Sequence, residues 1–324
     1  MTIAEADAMK LPGEEDRLGD ALRRLPGRLF AVLDGANYPD LPGRLREVGL
    51  DYFALYGEET DAPDIRYGPH LVVCPSAFAV EQVRDVSAGT PTVVWWAWPD
   101  EGSETEVAVW RHMRRLSVVD VPVGRDEEMI GPPRHGAVTG SGPEEPVFLR
   151  HADADVVAAL VDVLEPEQTA QLFGEALAIL AETPAAPGLA LFERPEAQDP
   201  GGRLSLSPDQ YACLTVSYRR ALGRRAEIEF ASLAGPGATG RRRIQDAVER
   251  AERYRLSTKS EIWDFITMDM RYGARFETAA GREGVLAELT RTDMPSAMRL
   301  WRAEMLAQQV RGEDRQEISG TRTF

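Results

Sequence analysis

Short apolar runs alternate with helix-like patterns over roughly the first 200 residues, and this constrains the fold more than any other feature. Apolar runs of three to eight residues that end at turn-forming or polar residues are typical of buried strands. The runs occupy residues 29–33, 52–56, 70–74, 91–98, 147–149 and 188–192. Helical spacing lies between several of them, for example at 41–48, 79–86 and 103–116. The pattern predicts an α/β (α+β) N-terminal lobe built on a mixed sheet.

The pattern changes after residues 193–203, which have the composition of a linker (ERPEAQDPGGR). Beyond it, apolar residues recur at helical spacing and predict four helices, at 207–222, 241–254, 259–271 and 293–310. We therefore expect an all-helical C-terminal lobe. The predicted organisation is a polar lead at 1–27, the α/β lobe at 28–200, the helical lobe at 204–311 and a frayed tail at 312–324.

The composition limits the partners and the compartment. The formal net charge of −16 argues against nucleic acid or an anionic membrane as the main partner. Two cysteines, Cys74 and Cys213, cannot form a disulfide framework, which suits a reducing compartment. The first 16 residues are acidic and lack the apolar core of a signal peptide, and no apolar run approaches the ~18 residues of a membrane span. A cytoplasmic location without membrane insertion is expected.

Charge is distributed unevenly along the chain. Residues 1–203 hold 36 acidic and 17 basic residues, whereas residues 204–324 hold 17 acidic and 20 basic ones. A basic cluster opens the second part at Arg219, Arg220, Arg224 and Arg225. Most such clusters are solvated helix faces. Because the first part is acidic, contact with it or with a client protein is also a hypothesis for these arginines.

The stretch 147–174 is the most informative single segment. Asp153 and Asp155 come directly before an apolar helical pattern, and Gly174 follows a second one. An aspartate at this place accepts backbone N–H bonds and lies at the positive end of the helix dipole. Two aspartates at this spacing can also hold a divalent ion beside a sugar nucleotide. The helix that starts there favours the N-cap.

The other motifs do not indicate a catalytic or metal-binding site when their sequence context is considered. The G-x-G-x-x-G match at 235–240 follows a helical pattern instead of a strand, which favours an interhelical loop. The four histidines lack metal-ligand spacing and are expected in the core or on the surface: His70, His112, His135 and His151. No catalytic set emerges, so the sequence predicts neither an enzyme nor a cofactor.

Three tryptophans in one predicted strand favour core packing. Strand alternation places Trp96 and Trp98 on one face and Trp95 on the other. Buried strands between helices are apolar on both faces, so we expect all three to be buried.

The order of several segments resembles a bacterial family, domain of unknown function 4123, over roughly residues 28–305. The matching segments are LFAVLDGA at 29–36, YFALY at 52–56, HLV at 70–72, FLRHAD at 148–153, the helix at 164–174 and RYGARF at 271–276. Asp34, Arg150 and Asp153 match motif positions, for which a structural role is expected. This sequence departs from the family's D-P-R motif, because Ala154 and Asp155 replace the last two residues of the motif.

The resemblance implies a role in type VI secretion. Members are cytoplasmic chaperones or adaptors that bind a toxic effector and help to load it onto the VgrG spike, without known chemistry. We predict this function, with the client in a cleft between the lobes. Two alternatives stay open: a metal-dependent transferase that uses Asp153 and Asp155, and a regulatory scaffold unrelated to secretion.

Overall fold

A computed structural model describes residues 17–56, 67–88, 93–102, 104–122, 144–183, 188–235, 237–256 and 258–320. The chain divides into two compact units, Met1–Tyr218 and Arg219–Phe324. The first contains sheets and helices, and the second is helical. The predicted fold class, an α+β lobe followed by a helical lobe, is confirmed.

The first unit contains eight described strands and six described helices, followed by a long helix that continues into the second unit. The strands are β1 Arg28–Asp34, β2 Tyr52–Ala54, β3 Pro69–Cys74, β4 Val94–Trp98, β5 Val118–Pro122, β6 Glu144–Phe148, β7 Ala178–Glu182 and β8 Leu189–Glu193. The helices are α1 Arg17–Arg24, α2 Leu41–Glu47, α3 Ala77–Val86, α4 Glu104–Leu116, α5 Ala154–Val161, α6 Pro166–Phe173 and the shared α7 Pro208–Glu229.

The main sheet has the order β2-β3-β1-β4-β7-β8, and β5 and β6 form a separate pair. Every neighbouring pair of these strands is antiparallel, which corrects the expected mixed sheet. The reason is that β1 lies between β3 and β4, and β3 lies between β1 and β2. The strand–helix–strand units β1-α2-β2 and β3-α3-β4 therefore join parallel strands that are not neighbours.

Two layers of helices cover the main sheet. One face, with Leu33 and Trp95, packs against α1, α2 and α3. The other face, with Phe30, Trp96 and Trp98, packs against α4, α5, α6 and strand β5. Trp95 and Trp96 are fully buried, and Trp98 is nearly so, so the prediction for the three tryptophans is confirmed.

Local capping residues explain where several helices begin. The Ser76 hydroxyl accepts from Ala79 N at 3.2 Å and starts α3. Asp40 accepts from Gly43 N at 3.0 Å and starts α2. Each bond satisfies one of the backbone donors that a helix N-terminus leaves without an intrahelical partner.

The predicted linker at 193–203 is irregular after β8, and the residues that follow it belong to the core of the first unit. Leu204 and Leu206 are buried there. Asp120 N donates to Leu204 O, and Leu206 N donates to Asp120 O, both at 2.9 Å. The segment is thus fixed along β5, and the two units divide further on, within α7.

The second unit contains α8 Ala231–Ala234, α9 Gly237–Arg253, α10 Lys259–Tyr272, α11 Glu283–Leu289 and α12 Ser296–Gly320, after the end of α7. In the glycine-rich segment at 235–240, Gly235 follows the end of α8 and residues 237–240 form the first turn of α9, so most of the expected interhelical loop is helical. The tail predicted to fray from residue 312 is helical to Gly320. None of the described helices is long and apolar enough to cross a membrane.

Candidate functional site

Asp34 lies at the C-terminal end of β1, where the chain enters a 3-10 turn at Gly35–Asn37. Its Oδ1 accepts from Ala36 N at 3.1 Å, and Gly35 N donates to Gly68 O at 3.0 Å. Only 6% of the residue is exposed. The turn therefore holds the carboxylate in one position at the end of the central strand.

Arg150 reaches this carboxylate from a segment 116 residues away. Its Nη2 donates to Asp34 Oδ2 at 2.5 Å. The Asp34 side chain is 8% exposed and that of Arg150 is 43% exposed. The structure thus brings two of the three predicted motif positions into direct contact, with a buried carboxylate and a half-exposed arginine side chain.

Asp153 fixes the turn that carries Arg150. Its Oδ1 accepts from Asp155 N at 3.0 Å, and it is the N-cap of α5. Its own backbone N–H donates to Arg150 O at 2.9 Å. The predicted N-cap is confirmed, so the third motif position supports Arg150 through the backbone. In the part of the chain that the structure describes, no group of three or more His, Cys, Asp or Glu side chains is placed to hold a metal ion.

His151 anchors the same turn from inside. It is fully buried, and its Nε2 lies 3.1 Å from Ser117 Oγ. The Ser117 hydroxyl donates to Met113 O, which leaves its oxygen to accept from Nε2–H. Burial lowers the pKa of His151 to about 4, and the charge of nearby His112 acts in the same direction. His151 is therefore a neutral structural residue at neutral pH.

Two aromatic side chains pack together close to the Asp34–Arg150 pair. Phe148 is 55% exposed, and its ring centroid lies 5.4 Å from that of Tyr56. Burial raises the pKa of Tyr56; the Asp34 carboxylate raises it further and the Arg150 guanidinium lowers it, because both charges lie close by. A Cβ at Gly68 would lie 2.6 Å from the Tyr56 ring, so the glycine allows this packing.

We call Asp34, Tyr56, Phe148 and Arg150 the corner. An arginine held by a buried carboxylate beside an exposed aromatic ring has the composition of a hot spot in a protein interface. The corner can therefore recognise a polypeptide segment.

A second histidine lines an open cleft of about 530 Å³ on the first unit. His112 Nε2 donates to Leu172 O at 2.9 Å, and its Nδ1 accepts from Arg115 Nη2 at 3.2 Å. Burial lowers the pKa of His112 to about 4. Gly174 ends α6 against this ring, as predicted for the helix end. His70, His112 and His151 are all buried, and His135 lies outside the described residues.

The four arginines of the basic cluster on α7 do not form one exposed surface. Arg225 is 5% exposed, and Arg219 lies 3.9 Å from Glu252 within the second unit. Arg220 and Arg224 are exposed. Those two remain open to a client, and the client contact itself stays a prediction.

Sequence reasoning missed a buried ionic cluster in the second unit. Arg250 donates from Nη1 to both oxygens of Glu277 at 2.8 Å and from Nη2 to Asp269 Oδ1 at 2.5 Å. Asp269 and Glu277 are fully buried. Arg250 lies three residues after Ala247, and Asp269 three after Ile266, so both interrupt apolar helix faces. A charged residue within an apolar helix face was the sequence signal that could have indicated this buried cluster.

The cluster explains the RYGARF segment. Arg275 adopts a left-handed conformation with φ of 57°, and its N–H donates to Asp269 Oδ1 at 2.9 Å. The next residue, Phe276, is buried against Phe265, with ring centroids 5.3 Å apart. Arg275 and Phe276 therefore fix the chain that follows α10 to Asp269 and Phe265 of that helix.

Comparison with known proteins supports the family over part of the chain. Residues 29–130 match the model of a family described as Domain of unknown function (DUF4123). The matched range begins in β1, includes Asp34 and extends past β5, whereas Arg150 and Asp153 lie after it. No curated protein and no solved structure matches the chain significantly.

Proposed function

We propose that this chain is a cytoplasmic, non-enzymatic adaptor that binds a type VI secretion effector and helps to load it onto a VgrG-type spike. The observation that carries the proposal is the family match over residues 29–130, the range that contains the centre of the main sheet and Asp34. The resemblance of the chain to that family supplies the secretion role.

The corner supports a protein-binding role. It combines an exposed phenylalanine with a half-exposed arginine that the buried Asp34 orients. Side chains held in place before binding lose little conformational entropy when a partner arrives, which strengthens the interaction. We assign Phe148 and Arg150 to the contact with the effector or the spike.

The transferase alternative has no specific support in the geometry, since Asp153 caps α5 and both aspartates are buried. A thermal-shift titration with Mg²⁺ and Mn²⁺ tests it directly. We expect no saturable increase in melting temperature. A saturable increase that the Asp153→Asn variant abolishes would support the transferase.

The proposal is tested by purifying the tagged full-length chain from its native host and identifying the bound proteins by mass spectrometry. We expect a toxin and a spike protein. Phe148→Ala should reduce the recovery of at least one of them. The matched control is Phe78→Ala on α3, which removes a phenylalanine that is 71% exposed. Recovery of neither partner with the wild-type chain would contradict the proposal.

A further inference from the structure

Helix α12 leaves one apolar stripe exposed. Met298, Trp301 and Met305 are 51%, 61% and 43% exposed. Spacings of three and four residues place them on one face of the helix. Leu300, Ala303 and Ala307 on the other side are buried. We call the exposed stripe the α12 seam.

The composition of the seam suits binding to another protein. Tryptophan is enriched among residues that dominate binding energies, and methionine adapts its shape to different apolar partners. The spacing repeats the a and d positions of a heptad, with Met298 and Met305 at a and Trp301 at d. The seam therefore fits an amphipathic helix that lies along it.

Charged residues flank the seam on both sides. In the same heptad, Arg302 occupies position e and Glu304 occupies position g. Arg302 Nε lies 3.0 Å from Glu288 Oε2, and Glu304 Oε1 lies 3.1 Å from Arg271 Nη1. The Arg302 side chain is 45% exposed and that of Glu304 is 35% exposed. Both flanking charges are held in place and remain accessible to a partner.

These charges argue against a second copy of the chain as the occupant. In an antiparallel pair of identical helices whose register packs Trp301 against Met305, position e faces e and g faces g, so Arg302 would face Arg302 and Glu304 would face Glu304. In a parallel pair, Arg302 would face Ala297 and Glu304 would face Gln309, without charge complementarity. A different helix with an acidic residue opposite Arg302 and a basic residue opposite Glu304 fits better.

We propose that the α12 seam binds an amphipathic helix of the client, with apolar residues at a and d and opposite charges at its flanks. The assignment of this helix to the client rests on the proposed function. The binding chemistry of the seam does not, because it follows from the exposed side chains of α12 alone.

Two synthetic 21-residue peptides test the seam with the full-length chain. Both carry leucine at a and d; one has Glu at e and Lys at g, and the other has these charges exchanged. We expect fluorescence anisotropy to show binding of at least one peptide, weakened about tenfold or more by Trp301→Ala. The matched control is Leu233→Ala, which removes an apolar side chain that is 63% exposed on α8 and should leave binding unchanged.

The flanking charges have their own test. The double variant Arg302→Glu/Glu304→Arg should reverse which peptide binds more tightly. Failure of both peptides to bind, or equal binding by the wild-type chain and Trp301→Ala, would overturn the proposal. A wild-type dimer that Trp301→Ala dissociates in sedimentation would also overturn it, since a second copy would then occupy the seam.

Effector recovery from the native host separates the two proposals. Recovery that Trp301→Ala abolishes supports both. Equal recovery with the wild-type chain and this variant overturns the assignment of the seam to the client and leaves the proposed function standing. Peptide binding without any recovered effector supports the seam as a helix-binding surface and contradicts the proposed function.

Discussion

At the scale of residues, the bond between Arg150 and Asp34 connects the centre of the sheet to the turn before α5. The sequence marked both residues as motif positions. It did not indicate their contact, because a separation of 116 residues can be closed only by the topology of the whole sheet. The role of Asp153 was easier to predict from the sequence, since an N-cap depends on the residues directly after it.

A double-mutant cycle on this pair measures its contribution to stability. We expect Arg150→Ala and Asp34→Ala to lower the free energy of unfolding with a coupling of about 1 kcal/mol, because the exposed side of Arg150 is screened by solvent. The control pair, Arg23 and Asp20, is exposed and three residues apart, and its coupling should be about 0.3 kcal/mol or less. Urea unfolding followed by circular dichroism provides the values. Equal coupling for the two pairs would contradict the structural role of the corner.

His151 predicts a dependence of stability on pH. Its pKa is about 4 in the folded chain and 6.5 in an unfolded one, so the unfolded chain alone binds the proton between these values. The free energy of unfolding should therefore fall as the pH is lowered from 6.5 towards 4, by up to about 1.4 kcal/mol per pH unit for this residue.

The variant His151→Asn lacks this titration. Its free energy of unfolding, measured between pH 6.5 and 5, should fall less steeply than that of the wild-type chain. His112 contributes in the same direction to both proteins and cancels in the comparison. Parallel curves for the two proteins would show that folding leaves the pKa of His151 unchanged.

At the scale of elements, apolar runs and helical spacing predicted most strands and helices, because these patterns are local. Strand neighbours were harder to predict. The alternation of strands and helices suggested a mixed sheet, whereas β1 lies between β3 and β4 and every neighbouring pair of strands is antiparallel. The ends of helices followed local signals again, as at Gly174.

Gly174 permits a substitution test of close packing. Its φ is +57°, and a Cβ would lie 2.5 Å from the His112 ring. Gly49 also has a positive φ, of +72°, with no neighbouring atom within 4 Å of such a Cβ. Gly49→Ala should cost about 1–2 kcal/mol of stability, and Gly174→Ala about 3 kcal/mol or more, because it adds overpacking. Equal costs, measured by urea unfolding, would show that the ring moves freely.

The buried ionic cluster predicts the response of the second unit to substitution. Arg250→Ala leaves the carboxylates of Asp269 and Glu277 buried beside one another and should cost about 3–5 kcal/mol. Hydrogen exchange should show the loss of protection in α9 and α10. Arg224→Ala, an arginine truncation at an exposed position of α7, should change stability by about 0.5 kcal/mol at most. A loss below 1 kcal/mol for Arg250→Ala would contradict the structural importance of the cluster.

At the scale of the whole molecule, composition and pattern predicted an α+β part followed by a helical part, and the structure confirms both. The α12 seam illustrates what the sequence could not show. Met298, Trp301 and Met305 fit a helical apolar pattern, and such a pattern does not tell whether a face packs inside its own chain or remains exposed for a partner.

The central claim, that this chain connects an effector to the secretion spike, is tested most directly by the composition of the spike with and without it. The VgrG protein is purified from the native host and from a strain that lacks the gene for this chain, and bound effector is quantified by mass spectrometry. We predict that the effector is lost from the spike in the deletion strain and restored by the wild-type gene. An unchanged amount of effector on the spike without this chain would contradict the account.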